Sequence, residues 1–188
     1  MNTLLPPRLT LAALLLGAFL PDAVGTSMTP LSVAELEAES DLVLHGRVRA
    51  IATSRNQSGR IISRVRVEPI EVWKGTAPES GVVVTLAGGV LGTCRVVVDG
   101  QPEYRPGEEV VLFLKRNPLG EAVTVGLAQG KFEVETDPAT GRPHAQNLFF
   151  GGIGREARTI QRFYTRAPTT RITLPLAALK QEVVRTKR

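Results

Sequence analysis

The stretch that most constrains the fold lies at residues 104–135, where three apolar runs are separated by turn residues. Within it, Pro106-Gly107 suits a type II turn, because proline presets φ at the second turn position and glycine accepts the positive φ of the third. The run at residues 110–114 is apolar at every position, which is typical of a strand covered on both faces. Two shorter runs follow at residues 122–125 and 131–134. The stretch therefore predicts a meander of three strands.

Upstream of this stretch, the sequence predicts a long hairpin. Residues 42–53 and 61–73 alternate apolar and polar side chains, and the second run contains a proline, which indicates a bulge or bend at Glu68-Pro69. Residues 81–87 and 93–98 supply further short strands. Many short strands with little helix favour a mainly β protein, a small antiparallel barrel of the OB type, with a β-sandwich as the alternative.

Two helices flank the predicted barrel. Ser32 and Glu35 match a capping box, in which each side chain accepts a hydrogen bond from the backbone N–H of the other residue, so a short helix begins here and ends near Ser40. Residues 175–186 have proline in the first turn and an apolar stripe along one side. We expect this second helix to dock on the barrel through that stripe, which consists of Leu176, Leu179 and Val183.

The first 25 residues are typical of a secretory signal peptide. Arg8 is followed by an apolar run at residues 9–20 and then by small residues before Thr26. We predict cleavage between Gly25 and Thr26 and an exported mature protein that is periplasmic or extracellular. An uncleaved anchor is the alternative, but this run is shorter than the roughly 20 residues that a spanning helix needs.

The remaining chain divides by charge. Residues 26–141, the predicted OB-like barrel domain, carry 12 Lys and Arg against 15 Asp and Glu. Residues 142–188 carry 10 against 2, so we predict a basic C-terminal extension that includes the docked helix. Cys94 is the only cysteine, so the chain forms no intramolecular disulfide and packing must supply its stability.

The sequence lacks the motifs of common cofactors and reactions. Residues 126–132 resemble a phosphate-binding loop, but they have three residues between the glycines instead of four, and a strand follows where a helix is needed. His45 and His144 are far apart, and Cys94 has no neighbouring ligand at zinc spacing, so we predict no metal and no cofactor. No GxSxG or HExxH motif indicates a catalytic group, so the sequence does not favour an enzyme.

A cluster of arginines follows from the strand pattern. We expect the two long strands to pair so that their apolar faces match. This register places His45 opposite Glu68 and pairs arginines across the strands, Arg47 with Arg66 and Arg49 with Arg64. Four guanidinium groups on one exposed surface repel one another unless acidic groups neutralise them. Planar guanidinium groups suit an anionic ligand, so we call these four side chains the candidate anion patch.

The alternative is that the protein's own carboxylates neutralise this patch. Glu133 and Glu135 are the candidates, because they alternate with Phe132 and Val134 on a predicted strand. The basic extension also has two interpretations, a contact with an anionic partner or a solvated segment. Few aromatic residues lie among its arginines, so nucleic acid is not a favoured partner.

Six short segments form a pattern across residues 31–135. They are residues 33–41 (VAELEAESD), 46–48 (GRV), 71–75 (EVWKG), 88–89 (GG), 105–114 (RPGEEVVLFL) and 125–132 (VGLAQGKF). Together they resemble a family of short exported bacterial proteins without an assigned activity, in which leucine usually stands in place of Val33 and Trp73. The resemblance implies export and an OB-like barrel.

More distantly, the same layout resembles the netrin-type OB barrels, some of which inhibit metalloproteases. This chain lacks the disulfide cysteines of those barrels, including one at the mature N-terminus that would reach a metal. The resemblance therefore implies a fold, and protease inhibition is kept as an alternative function.

These observations predict a non-catalytic binding module for an anionic or protein partner in the cell envelope or outside the cell. The candidate anion patch is its predicted site. The alternative is an envelope hydrolase that uses the carboxylate of Glu108 or Glu109 together with a distant partner residue.

Overall fold

The computed structural model describes residues 31–147 and 172–186. The predicted signal peptide and its cleavage position between Gly25 and Thr26 lie outside these residues. The described chain is mainly β, with a short helix on its N-terminal side and a second helix after the strands. The predicted fold class is therefore confirmed.

The elements of the described residues are, in chain order, α1 (Val33–Ala38), β1 (Leu42–Arg55), β2 (Ile61–Lys74), β3 (Val82–Ala87), β4 (Gly89–Leu91), β5 (Cys94–Val96), β6 (Glu109–Arg116), β7 (Ala122–Thr124), the 3₁₀ helix η1 (Leu127–Gly130), β8 (Lys131–Thr136), β9 (Pro143–Asn147), β10 (Ile172–Pro175) and α2 (Leu176–Thr186). β4 and β5 form a separate two-stranded sheet. No helix among these elements is long and apolar enough to cross a membrane.

Five of the strands form a ring in the order β1, β2, β3, β7, β6 and back to β1. The pairings are antiparallel except that of β3 with β7, which is parallel and consists of one residue pair, Val84 with Ala122. A small, partly open barrel of five strands is the OB architecture, and the ring excludes the alternative of two stacked sheets. This parallel pair is one difference from the predicted antiparallel barrel.

β6 lies at the centre of the fold. One of its edges pairs with β1, while the other edge pairs with β8 along its first half and with β7 along its second half. The predicted meander is wrong, because β7 and β8 both pair with β6 and not with each other. Gly126, with φ of 58°, and η1 redirect the chain between β7 and β8, so that it returns to the same edge of β6. β9 and β10 then extend the sheet beyond β8.

Two apolar cores lie on the two faces of β6, as its uniformly apolar sequence predicts. Val110, Leu112 and Leu114 point into the barrel and pack against side chains of β1, β2 and β3. Val111 and Phe113 point outward into a second core, which also includes buried side chains of α1 and α2. All five side chains are almost completely buried.

The two helices match their predictions. Leu179 and Val183 of α2 are buried in the second core, and Leu176 packs at its border. α1 lies beside α2 and has the capping box: Ser32 Oγ accepts a hydrogen bond from the Glu35 backbone N–H, and the Glu35 carboxylate accepts one from the Ser32 N–H at 2.7 Å.

The turn that begins β6 also has the predicted form. Gly107 has φ of 89°, and the Glu108 N–H donates to the carbonyl of Arg105 at 3.2 Å. Pro106 and Gly107 therefore occupy the two central positions of the turn.

Candidate functional site

The outer surface of β1 and β2 carries the four arginines of the candidate anion patch. Alternation on β2 directs Val65 and Val67 into the barrel core, so Arg64 and Arg66 point outward. Arg47 and Arg49 of β1 are also exposed. The structure therefore brings all four side chains to the outside of one hairpin.

The predicted pairing of these arginines across the hairpin is wrong. Arg47 lies opposite Glu68 rather than opposite Arg66. Arg49 lies at a shift in the register and is not opposite Arg64. Arg47 therefore faces a side chain of opposite charge, and the repulsion between arginines that the sequence predicts does not arise at this position.

Local features of the hairpin cause the change in register. The side-chain oxygen of Asn56 accepts hydrogen bonds from the N–H groups of Ser58 and Arg60 at 3.0 and 2.9 Å, which closes the turn and lets β1 run two residues beyond its predicted end. Register shifts along β1 then displace the partners further. One shift leaves Ile70 unpaired, next to the bulge predicted at Glu68-Pro69.

Two of the arginines are paired with carboxylates of the protein. Arg47 Nη2 lies 3.0 Å from Glu109 Oε2, and Arg49 forms an ion pair with Glu68. The two arginines and the two glutamates of these ion pairs each have side chains that are at least a quarter exposed. Exposed ion pairs contribute about 0–1 kcal/mol each, so these contacts neutralise charge more than they stabilise the fold.

Arg64 and Arg66 are less engaged. Arg64 Nη1 donates to Ser54 Oγ at 3.0 Å, while its Nη2 lies 3.9 Å from Glu121 Oε1, beyond hydrogen-bond distance. The side chain of Arg66 makes no hydrogen bond or ion pair with the residues that the structure describes. These two guanidinium groups therefore keep donors available for a ligand.

Small side chains flank these two arginines on both neighbouring strands. The partners of Arg64 are Ala52 on β1 and Thr85 on β3, and those of Arg66 are Ala50 and Val83. We call Arg64, Arg66 and these four flanking residues the arginine face. None of the flanking side chains is long or charged, so they leave the two exposed guanidinium groups accessible to a ligand.

A cleft of about 350 Å³ opens beside the arginine face, at the junction of β3 and β7. Arg64, Lys115 and Arg116 contribute positive charges to its walls, and Asp41 and Glu121 contribute negative ones. Arg64 thus belongs both to the arginine face and to the cleft.

His45 and Glu109 form a second polar cluster. His45 Nε2 lies 2.7 Å from Glu109 Oε1, and the imidazole packs 6.1 Å from the ring of Trp73. His45 lies opposite Glu71 and not opposite Glu68, so that prediction is also wrong, because of the same shifted register. Among the described residues, Glu109 is the only hydrogen-bond partner of the His45 side chain, so no hydroxyl or thiol contacts the imidazole.

Glu108 belongs to a third cluster, on the inner side of the barrel. Lys131 Nζ lies 2.9 Å from Glu108 Oε1, as an ion pair without hydrogen-bond geometry, and 4.7 Å from the centre of the Tyr104 ring. Burial and the charge of Glu108 raise the pKa of Tyr104, so its hydroxyl stays protonated. Glu108 and Glu109 therefore point to opposite faces of the sheet and do not form a pair of catalytic carboxylates.

The carboxylates predicted to neutralise the candidate anion patch make other contacts. Glu133 lies 3.2 Å from Lys131, and Glu135 lies 3.8 Å from His144. β8 pairs with β6 and β9 rather than with β1 or β2, so β6 separates the strand that carries these two carboxylates from the strands of the patch. The sequence does indicate that Lys131 is a partner for these carboxylates. Lys131, Glu133 and Glu135 occupy alternate positions of one short strand, so their side chains point to the same face.

Comparison with known proteins adds no assignment to these three clusters. No protein-family model matches the chain, and a search of curated proteins gives no significant match. Within the described ranges, no three His, Cys, Asp or Glu side chains are arranged to hold a metal ion.

Proposed function

We propose that this protein is an exported, non-catalytic binding module that holds an anionic ligand on the arginine face. The observation that carries the proposal is that Arg64 and Arg66 lie two residues apart on one strand, point outward and have N–H groups that make no hydrogen bond with the described residues. Export is proposed from the pattern of residues 1–25 and from the resemblance to short exported bacterial proteins.

Guanidinium groups suit this task for a physical reason. Each presents several N–H donors in one plane, which match the two oxygens of a carboxylate, phosphate or sulfate group. The small neighbours of Arg64 and Arg66 allow a ligand to approach both groups at once. Arg47 and Arg49 extend the same surface, but they already have carboxylate partners.

The position of the arginine face also supports the proposal. Barrels of the OB type bind oligonucleotides and oligosaccharides on the surface of their second and third strands and on the adjoining loops. Arg64 and Arg66 lie on β2 with their partners on β3, and the cleft adjoins the loop between β6 and β7. This support is an analogy of fold, and the chemistry of the arginines decides the ligand class.

Retention on immobilised heparin, a sulfated polyanion, tests the proposal. We expect R64A/R66A in the full-length protein to weaken binding about thirtyfold, because two charged contacts of roughly 1 kcal/mol each are lost. Arg105→Ala is the control for the loss of an exposed arginine, since Arg105 is exposed in the turn before β6 and lies outside the arginine face. Binding should also weaken steeply as salt is added.

The basic extension needs its own test. Truncation is unsuitable, because β9, β10 and α2 belong to the sheet and to the second core. Substituting glutamine for Arg155, Arg158, Arg162 and Arg166 removes charge without removing these elements. If this variant abolishes retention while R64A/R66A matches the control, the arginine face is not the site.

A hydrolase is the second candidate, and the pair formed by His45 and Glu109 is the observation that favours it. A carboxylate at 2.7 Å can orient an imidazole for proton transfer. Glu109 also binds Arg47, and no nucleophile among the described residues contacts the imidazole, so the pair lacks the further groups that a site needs. Turnover of an envelope substrate that is abolished by His45→Gln and by Glu109→Gln would replace the binding proposal.

A further inference from the structure

β3 has an edge that β7 covers only in part. β3 runs from Val82 to Ala87 and pairs with β2 along its whole length. On the other side, β7 has three residues, and one residue pair, Val84 with Ala122, joins the two strands. The edge of β3 therefore presents backbone N–H and C=O groups that β7 does not pair.

The cleft lies along this edge. Val82, Val83 and Thr85 of β3 contribute to one wall, and Gly120 and Glu121 of the loop between β6 and β7 contribute to the facing wall. A ligand in the cleft would therefore contact the backbone of β3 as well as charged side chains.

The charges in the cleft favour an acidic ligand. The Asp41 carboxylate already accepts a hydrogen bond from the Arg116 backbone N–H at 2.8 Å, and the Glu121 carboxylate accepts one from Asn117 Nδ2 at 3.1 Å. Arg64, by contrast, lies at 3.9 Å from Glu121. A carboxylate of the ligand would make a shorter contact with Arg64 than Glu121 does.

We infer that the cleft binds an extended acidic peptide, whose backbone pairs with the edge of β3 and whose carboxylates contact Arg64 and Arg66. This inference rests on the proposed function and names the class of its ligand. Arg64 reaches far enough, because its guanidinium group already extends across β3 toward Glu121. The spacing agrees as well, since alternate side chains of a peptide strand are about 6.6 Å apart, as are those of two arginines at alternate positions of β2.

The described aromatic residues argue against single-stranded nucleic acid as the ligand. Proteins that bind single-stranded nucleic acid stack bases on exposed aromatic side chains. The described residues include four aromatic side chains of Phe, Tyr and Trp, and all are buried: Trp73, Tyr104, Phe113 and Phe132. The edge of a strand instead offers the hydrogen-bonding pattern that a peptide backbone matches.

The test compares three probes on the full-length protein. One is a fluorescent octapeptide of alternating glutamate and valine, the second is the same peptide methylated on its backbone nitrogens, and the third is heparin. The two peptides have equal charge, but the methylated one donates no backbone hydrogen bonds. We expect methylation to weaken binding about tenfold or more, since two or more hydrogen bonds of about 1 kcal/mol are lost. We also expect the unmethylated peptide to slow hydrogen exchange of those amides of Val82–Ala87 that face the open part of this edge.

Each alternative outcome has a defined meaning. Equal binding of both peptides, or binding of heparin alone, would overturn the peptide inference and leave the anion-binding proposal intact. If neither peptide nor heparin binds, the proposed function fails, and the inference fails with it.

A pair of variants at Val83 tests the location of the site. Val83 lines the cleft and is 42% exposed, so a charged side chain is tolerated there without loss of the core. We expect Val83→Lys to tighten and Val83→Glu to weaken binding of the acidic peptide, each severalfold, because the new charge lies beside the ligand. Equal effects of the two variants would place the peptide elsewhere.

Discussion

Replacement of Lys131 by methionine would measure what the buried ion pair contributes to stability. Methionine keeps an unbranched apolar chain but removes the ammonium group, which lies 2.9 Å from Glu108 Oε1 and 3.2 Å from Glu133 Oε1. The Lys131 side chain is only 5% exposed and that of Glu108 only 15%. The carboxylate left behind therefore has little access to water that could replace its partner.

The expected loss of stability follows from this burial. Removing one partner of a buried ion pair costs about 3–5 kcal/mol, and the lost contact with the Tyr104 ring adds about 0.5–1 kcal/mol. We expect the lower end, about 3 kcal/mol, because Glu133 is 22% exposed and can turn toward solvent. At roughly 2–4 °C per kcal/mol, the melting temperature should fall by about 10 °C.

Urea unfolding of matched variants checks this value. Lys115→Met is the control, because the ion pair of Lys115 with Glu39 is exposed and should contribute about 0–1 kcal/mol. Adding Glu108→Gln to the Lys131→Met variant should recover part of the loss, since it removes the unpaired charge. If Lys131→Met destabilises the protein no more than the control does, or if Glu108→Gln recovers nothing, the ion-pair argument is refuted.

Three further predictions concern the fold. Leu179→Ala should lower the free energy of unfolding by about 2–5 kcal/mol, measured by urea unfolding, because the side chain is fully buried. Hydrogen bonds from Lys180 and Trp73 lower the pKa of Glu71. Glu71 should therefore add stability at neutral pH, and this stability should be lost as the pH falls through the lowered pKa. A Lys180→Met variant should lose less of its free energy of unfolding on acidification than the unmodified protein does. Gly59 and Gly75 both have φ of 76°, but an added Cβ meets nothing at Gly59 and lies 2.3 Å from a backbone oxygen at Gly75. Gly59→Ala should therefore introduce only about 1 kcal/mol of backbone strain and lower the melting temperature slightly. Gly75→Ala should lower the melting temperature further, because it adds the clash with the backbone oxygen.

Local chemistry made several parts of this fold predictable. The capping box at Ser32, the doubly apolar run of β6 and the stripe of α2 each depend on residues that are close in sequence. The outward direction of Arg64 and Arg66 was predictable for the same reason, since alternation along one strand does not depend on its partner.

The partners of each strand were not predictable in this way. The choice of β6 as the common partner of β7 and β8 depends on how η1 redirects the chain, and the sequence pattern of three runs separated by turns fits a meander equally well. The register of β1 with β2 depends on Asn56 and on irregular positions such as Arg49. The carboxylates that pair with Arg47 and Arg49 come from β6 and β2, so they could not be identified before the register was known.

The placement of α2 has a consequence for the order in which the molecule is completed. This helix follows all the strands that the structure describes, yet its Leu179 and Val183 close the second core over Val111 and Phe113. The barrel's outer wall thus stays uncovered until α2 has been synthesised and has packed on it. A chain that stopped before α2 would keep this apolar surface exposed, and such surfaces promote aggregation.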